Sequence, residues 1–286
     1  MLFYLYSRGE NRLKAFYKFL RALNFLFITS DGRRKFRRKM DILIEGNPVD
    51  ILQANYDKVL ERLKNKKGNI KAVFLVSENQ KWNWQSVYDD MLKSPDFEPL
   101  ILITNVWLKR GSDIRLSETT LQENFDFFAK RNMKVEYAYD AKTDTYLPLS
   151  DFGADIIFYQ QPWNLHPTQS LMETSKYALN CYVPYGIPVC DIGSEYDIGF
   201  YRSVWAYFEI NQQMYDFLEK KDKNLVKNHI VCGHPKLDTY FDETDKTENY
   251  IIYAPHHSFF PAHLNLATFK WNGEYILQYA KEHPEL

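Results

Sequence analysis

The stretch "IKAVFLVSE", residues 70–78, decides the fold. It is short and nearly continuous in its apolar residues. A strand reads this way when both of its faces are covered, which is the mark of a parallel sheet. Upstream, "DILIEGNPVDILQANYDKVLERLKNKKG" predicts a helix from Pro48 to Lys66. Asp50, Ile51, Tyr56, Val59, Leu60 and Leu63 mark a partial apolar stripe, and Lys67-Gly68-Asn69 stops it. Downstream, "WNWQSVYDDMLKSP" reads as a helix closed by Pro95, and "FEPLILITN" as a second buried strand.

The same alternation continues. Ser117 opens a helical "ETTLQENFDFFAKRN", followed by a strand "KVEYAYD" and another, "GADIIFYQQPW", that ends at Pro162. Then come a helix "SLMETSKYAL" and a fifth strand and turn, "NCYVPYGIP". "SVWAYFEINQQMYDFLEKK", residues 203–221, reads as one long helix with Trp205, Phe208, Tyr215 and Leu218 on its apolar side. "NHIVCGHPKLDTYF" is a sixth strand, a turn and a short helix. Strands alternating with helices make an α/β fold with a parallel, Rossmann-like sheet. No GxGxxG follows the first strand, so the usual dinucleotide fingerprint is missing.

The polar, charged stretch "FDETDKTEN", residues 241–249, marks a boundary. Beyond it a strand "YIIYAP" and a helix "WNGEYILQYAKEHPEL" are expected, too little for a core of their own. The organisation expected is a basic, aromatic segment over 1–45, a Rossmann-like domain over 46–243, and the beginning of a second, truncated α/β domain over 249–286.

Bulk numbers bound the rest. The 286 residues are 45% hydrophobic and 26% charged, which is globular and not disordered. Aromatics reach 16%, favouring a large core and aromatic-lined clefts. Net charge is −1, so the chain as a whole is no polyanion binder, and no nucleic-acid partner is expected. Cys181, Cys190 and Cys232 show no CxxC spacing and read as reduced, buried thiols of a cytosolic protein. No apolar run approaches the roughly 20 residues that span a bilayer. Residues 1–40 nevertheless hold eleven Lys and Arg against two acids, interleaved with Phe and Leu. Residues 12–39 therefore suit an anionic membrane surface, at about 1 kcal/mol per cation near the headgroups.

Chemistry is expected in loops at the carboxyl ends of the strands, where open α/β sheets bind ligands. Three belong to the first domain: "QQPWNLHP" (160–167), "VPYGIPVCDIGSEYD" (183–197) and "CGHPKLD" (232–238). A fourth is "APHHSF", residues 254–259. Adjacent His256 and His257 point apart in an extended chain and share no metal, and there is neither HExxH nor GxSxG. Phosphate binding fits better: Gly233 lets backbone N–H groups approach an anion, His234 flanks them and Lys236 adds a charge. Ser258 beside His256 and His257 supplies a similar corner. Pro184 and Pro188 flank Tyr185-Gly186, a rigid turn displaying one aromatic hydroxyl. His166 is a candidate general base near neutral pH.

The order "YVPYGIP", "CGHPKLDTYF", "YIIYAPHHS" and a closing helix resembles the CDP-glycerol glycerophosphotransferase family, the teichoic-acid-type polymerases and primases with a glycosyltransferase-B-like fold. The resemblance covers about residues 155–286. It implies an acceptor-side first domain and a donor-binding second one. It further implies transfer of glycerol phosphate from CDP-glycerol to a hydroxyl of a membrane-linked glycan or poly(glycerol phosphate), in cell-surface polymer biosynthesis. No cofactor is implied beyond the donor substrate. The expected location is cytoplasmic, peripheral on the inner face of the bacterial cell membrane.

The family's turn histidine, its proposed base, falls on Tyr185, which leaves His166 or Asp191 to substitute. Gly186 and Pro188 would shape the acceptor turn. Gly233, His234, Lys236, His256, His257 and Ser258 would face the donor phosphates, with Lys236 in place of the family's arginine. The family's next strand, ending Pro-His-Pro, has no counterpart, so a severed donor domain is expected. Two other readings stand beside this one: a glycosyltransferase using a nucleotide sugar on the same fold, and a non-catalytic binding module.

Overall fold

The structure, a computed structural model, describes residues 32, 36, 47–107, 116–187, 199–241, 251–256 and 267–284. The chain divides into two units, Met1–Thr239 and Tyr240–Leu286. The first is built on a seven-stranded sheet in which every pairing is parallel. Its strands are β1 (Ile70–Val76), β2 (Phe97–Ile103), β3 (Val135–Tyr137), β6 (Ile156–Tyr159), β7 (Leu179–Tyr182), β8 (Ala206–Glu209) and β9 (His229–Val231). They lie in the order β3-β2-β1-β6-β7-β8-β9. The chain winds outward from β1 to β3, returns, and winds outward again from β6. This is the doubly wound arrangement, with its switch point between β1 and β6.

Alternate residues of the central strands serve opposite faces. Val73 and Leu75 pack with Leu52, Tyr56 and Val59 of α1 (Pro48–Lys64) and Leu171 of α4 (Leu171–Thr174). Ala72, Phe74 and Val76 pack with Tyr88 of α2 (Gln85–Lys93) and with Leu121 and Phe128 of α3 (Glu118–Ala129). Both faces are therefore covered, which is why β1 reads as a continuous apolar run. Phe74, Phe158 and Phe208 form a ring column across the sheet, at 4.9 Å and 6.1 Å between centroids. Cys181, between Phe158 and Ala206 in register, provides the small side chain that lets the last two rings meet.

Local signals set the helix ends. Asn47 caps α1 by accepting the Val49 N–H, and Pro48 takes the first position, where its missing N–H costs nothing. Ser117 caps α3 by accepting the Thr120 N–H at 3.1 Å. Within α1 the inward residue is Leu52, whereas Ile51 faces solvent.

Three expectations are corrected. Residues 203–221 are not one helix: Ala206–Glu209 is strand β8, and Asn211 then caps α5 (Gln212–Lys221) by accepting the Met214 N–H. Trp205 and Phe208 mimic a helical spacing, but the run around them is apolar and aromatic and extends the sheet. "KVEYAYD" leaves the sheet after Tyr137. Tyr139–Asp140 (β4) turns back onto Thr145–Tyr146 (β5) as an antiparallel hairpin. In the second unit, residues 251–256 form no strand, and Ile251 and Ile252 are exposed. Among its described residues no neighbouring strand offers them backbone partners. That unit does contain the expected helix, α6 (Phe269–Glu282), against which Tyr253 sets its hydroxyl, donating to Asn272 Oδ1 at 2.8 Å. The basic segment 12–39 lies outside the described residues apart from Gly32 and Phe36.

At the amino edge of the sheet, Asp155 is 1% exposed and gathers three donors. It accepts the Lys71 N–H at 2.9 Å, faces Arg62 at 3.1 Å, and pairs with Lys66. Asp155→Ala leaves a strand N–H without its acceptor and two cations without their partner. It is expected to lower stability by about 2–3 kcal/mol in urea unfolding, and an unchanged midpoint would reduce the cluster to surface decoration.

Candidate functional site

The site is built at the carboxyl edge of the sheet, from the loops that follow β1, β6, β7 and β9. The first two meet at the switch point. Gln160, the first residue past β6, accepts the N–H groups of Ser77 and Glu78, each at 3.0 Å, and donates to the Glu78 carbonyl at 2.9 Å. Gln169 accepts the Thr104 hydroxyl at 2.7 Å and donates to the carbonyls of Ala138 and Leu147. Both side chains are buried. The crevice where doubly wound sheets commonly seat phosphates is thus closed by uncharged amides. What remains there holds about one water.

The other loops are tied together by one carbonyl. Pro184 O accepts from His234 Nε2 at 2.8 Å and from Asn83 Nδ2 at 2.9 Å. His234 Nδ1 accepts the Lys236 N–H at 3.2 Å. The imidazole is therefore the neutral Nε2–H tautomer, with both nitrogens engaged. Burial lowers its pKa from the ordinary 6.5; the Pro184 carbonyl opposes this, and nearby Lys236 adds to it. Gly233, at φ 91°, supplies the left-handed turn that delivers His234 from β9, a conformation that strains any residue with a Cβ. Asp238 accepts the Ser86 hydroxyl, joining the β9 turn to α2.

Beside this clamp lies a polar and aromatic surface. Lys81 Nζ stands 5.3 Å from the centre of the Tyr185 ring and donates to Gln161 Oε1 at 3.2 Å, while pairing with Glu78. Trp163 meets Tyr185 edge-on at 6.0 Å and is 41% exposed. Three buried polar atoms of the β1 loop, Asn79 Oδ1, Asn83 Oδ1 and Trp84 Nε1, have no partner among the described residues. The arrangement presents a half-buried phenol, an indole face and cations to whatever docks there.

Among the residues expected from sequence, Tyr185, Gly233, His234 and Lys236 share this edge, with Gly186 exposed beside Tyr185. His234 does not present a free nitrogen to a phosphate; it is the tie between two loops. His166 is placed elsewhere on the β6 loop, with its ring parallel to Tyr146 at 4.3 Å and edge-on to Trp107 at 5.6 Å. Its Nδ1 accepts the Thr168 hydroxyl and N–H and caps a short 3-10 turn. His256 belongs to the second unit. Asp191, Pro188, His257 and Ser258 lie outside the described residues. Gln160 and Trp163 fall in the expected loop 160–167 without being singled out there, whereas Lys81 and Asn83 lie in a loop the sequence reading passes over. The polar–aromatic "ENQKWNWQ" directly after a buried strand was the available signal. Among the described residues, no three His, Cys, Asp or Glu side chains are grouped to hold a metal, and no helix is long and apolar enough to cross a membrane.

No protein-family model, no curated protein and no solved structure matches this chain.

The clamp makes a pH prediction. A histidine whose folded pKa is depressed adds stability that is fully present above its unfolded value, near 6.5, and is lost as pH falls through the folded value. Urea midpoints are expected to drop below pH 6.5, and His234→Gln is expected to flatten that drop. Parallel pH profiles for the two proteins would remove His234 as its source.

Proposed function

We propose that this chain carries the acceptor-side, Rossmann-like half of a nucleotide-dependent transferase of the CDP-glycerol glycerophosphotransferase kind. The reaction moves glycerol phosphate from CDP-glycerol to a hydroxyl of a lipid-linked glycan or poly(glycerol phosphate). The observation that carries the reading is the junction of two turns. "VPYGIP" and "CGHPKLD", whose order underlies the family resemblance, are joined through Pro184 O and His234 at the carboxyl edge.

In this reaction the acceptor oxygen attacks the β-phosphorus of the donor. A new P–O bond forms as the bond to the departing CMP oxygen breaks, and the hydroxyl proton passes to solvent water. Such transfers need alignment and charge stabilisation more than covalent help from the protein. Lys236, held by the His234 turn, is assigned to the charge that develops on the phosphoryl oxygens. Tyr185 and Trp163 are assigned to the acceptor. The neutral plug at the switch point favours an acceptor-side role over nucleotide binding in this unit. The basic, aromatic residues 12–39 suit an enzyme that meets its acceptor at the inner face of the cell membrane.

The test is nucleotide release by the transferase with both its acceptor-side and donor-binding halves present, given membrane vesicles bearing lipid-linked poly(glycerol phosphate). CMP is expected from CDP-glycerol. Turnover of UDP-sugars alone would replace this reading with a glycosyltransferase, and release from no donor would leave a binding module. Lys236→Ala is expected to cut CMP release about tenfold or more, the worth of one charge-assisted contact. Tyr185→Phe tests the phenol, and full activity in that variant would reduce Tyr185 to packing.

A further inference from the structure

The other end of the same edge holds a second cleft. It lies beyond the carboxyl end of β3, between the first turns of α3 and the β4–β5 hairpin, and its volume is about 370 Å³. That is the scale of small-molecule sites. Its apolar lining comes from Leu121, Ala141 and Leu147 together with Tyr137 and Tyr139. Its polar lining is Glu118, Gln122, Asp140 and Lys142. We propose that this cleft binds a neutral sugar of about disaccharide size. The inference rests on the cleft's own chemistry and is separate from the transferase reading.

The charge balance comes first. Among the described lining residues two carboxylates oppose one ammonium, a balance that disfavours a phosphate or nucleotide. A neutral polyhydroxylated ring escapes it. Its hydroxyls both donate and accept, which matches carboxylate acceptors, an amide and an ammonium donor around one opening. Its C–H faces carry slight positive charge and pack on the electron-rich faces of tyrosine rings and on aliphatic walls.

The walls are also fixed in advance. The Tyr137 ring stacks on Phe125 at 4.7 Å, and its hydroxyl donates to Gln122 Oε1 at 3.1 Å. Tyr139 packs on Tyr146 at 4.8 Å and donates to Asp144 Oδ1 at 2.8 Å. The Asp140 carboxylate accepts the Lys142 N–H at 2.9 Å and the Thr143 hydroxyl at 2.8 Å. Each of these oxygens keeps a further lone pair for a ligand hydroxyl. Side chains already held in place lose little entropy when a ligand arrives.

Saturation-transfer NMR on the full chain tests this, with cellobiose, maltose and N,N′-diacetylchitobiose as neutral probes and CMP as the anionic one. At least one disaccharide is expected to receive saturation on its ring protons. Glu118→Ala, at an exposed position, and Tyr137→Ala are each expected to weaken its Kd about fivefold or more. Lys58→Ala, exposed on α1 at the opposite face of the sheet, is expected to leave it unchanged. Three results would overturn the proposal: no transfer to any disaccharide, disaccharide binding that survives both cleft variants, or a CMP signal that Tyr137→Ala abolishes.

Discussion

A sheet covered on both faces confines polar chemistry to its two edges. Every strand end then has N–H and C=O groups that water reaches poorly, and the protein must supply their partners. At the amino edge one carboxylate, Asp155, does this with two cations and a backbone N–H. At the carboxyl edge the work is divided among neutral amides: Gln160 for the β1 loop, Gln169 for the Ala138 and Leu147 carbonyls that flank the hairpin, and Asn83 for Pro184. The edges are held by side chains whose partners lie on distant stretches of chain, so their geometry is a property of the whole fold.

That division shapes what the carboxyl edge can recognise. Its centre, between β1 and β6, is plugged and uncharged. Its flanks carry the exposed chemistry: cations and aromatic rings toward β7 and β9, and carboxylates with tyrosines toward β3. Two such flanks on one rigid edge can favour different ligands without sharing a residue. The neutral His234 tautomer matters for the first flank, because the carbonyl it shares with Asn83 keeps three loops in one register.

The central strands were legible because double burial leaves a visible signature: β1 and β2 are apolar almost throughout. Ser117 was legible because its hydroxyl does one local job. Strand β8 was not, since its apolar run passes straight into α5, and Trp205, Phe208, Tyr215 and Leu218 keep a helical spacing across the join. The hidden punctuation was Asn211. The loops with Gly and Pro pointed to Tyr185, Gly233, His234 and Lys236, because those residues restrict backbone shape. Asn83 and Gln160 could not be read in the same way. Their roles depend on partners 101 and 83 residues away in sequence, and an amide gives no local sign of what it will meet.

One aromatic stack joins regions that the sheet keeps apart. Tyr146 touches both rings: Tyr139 at 4.8 Å, tilted by 56°, and His166 at 4.3 Å, parallel. Whatever displaces Tyr139 must also shift the plane on which His166 rests. Loop 160–167 therefore cannot relax independently of the hairpin, and two distant ends of the rim answer to a single stiff joint.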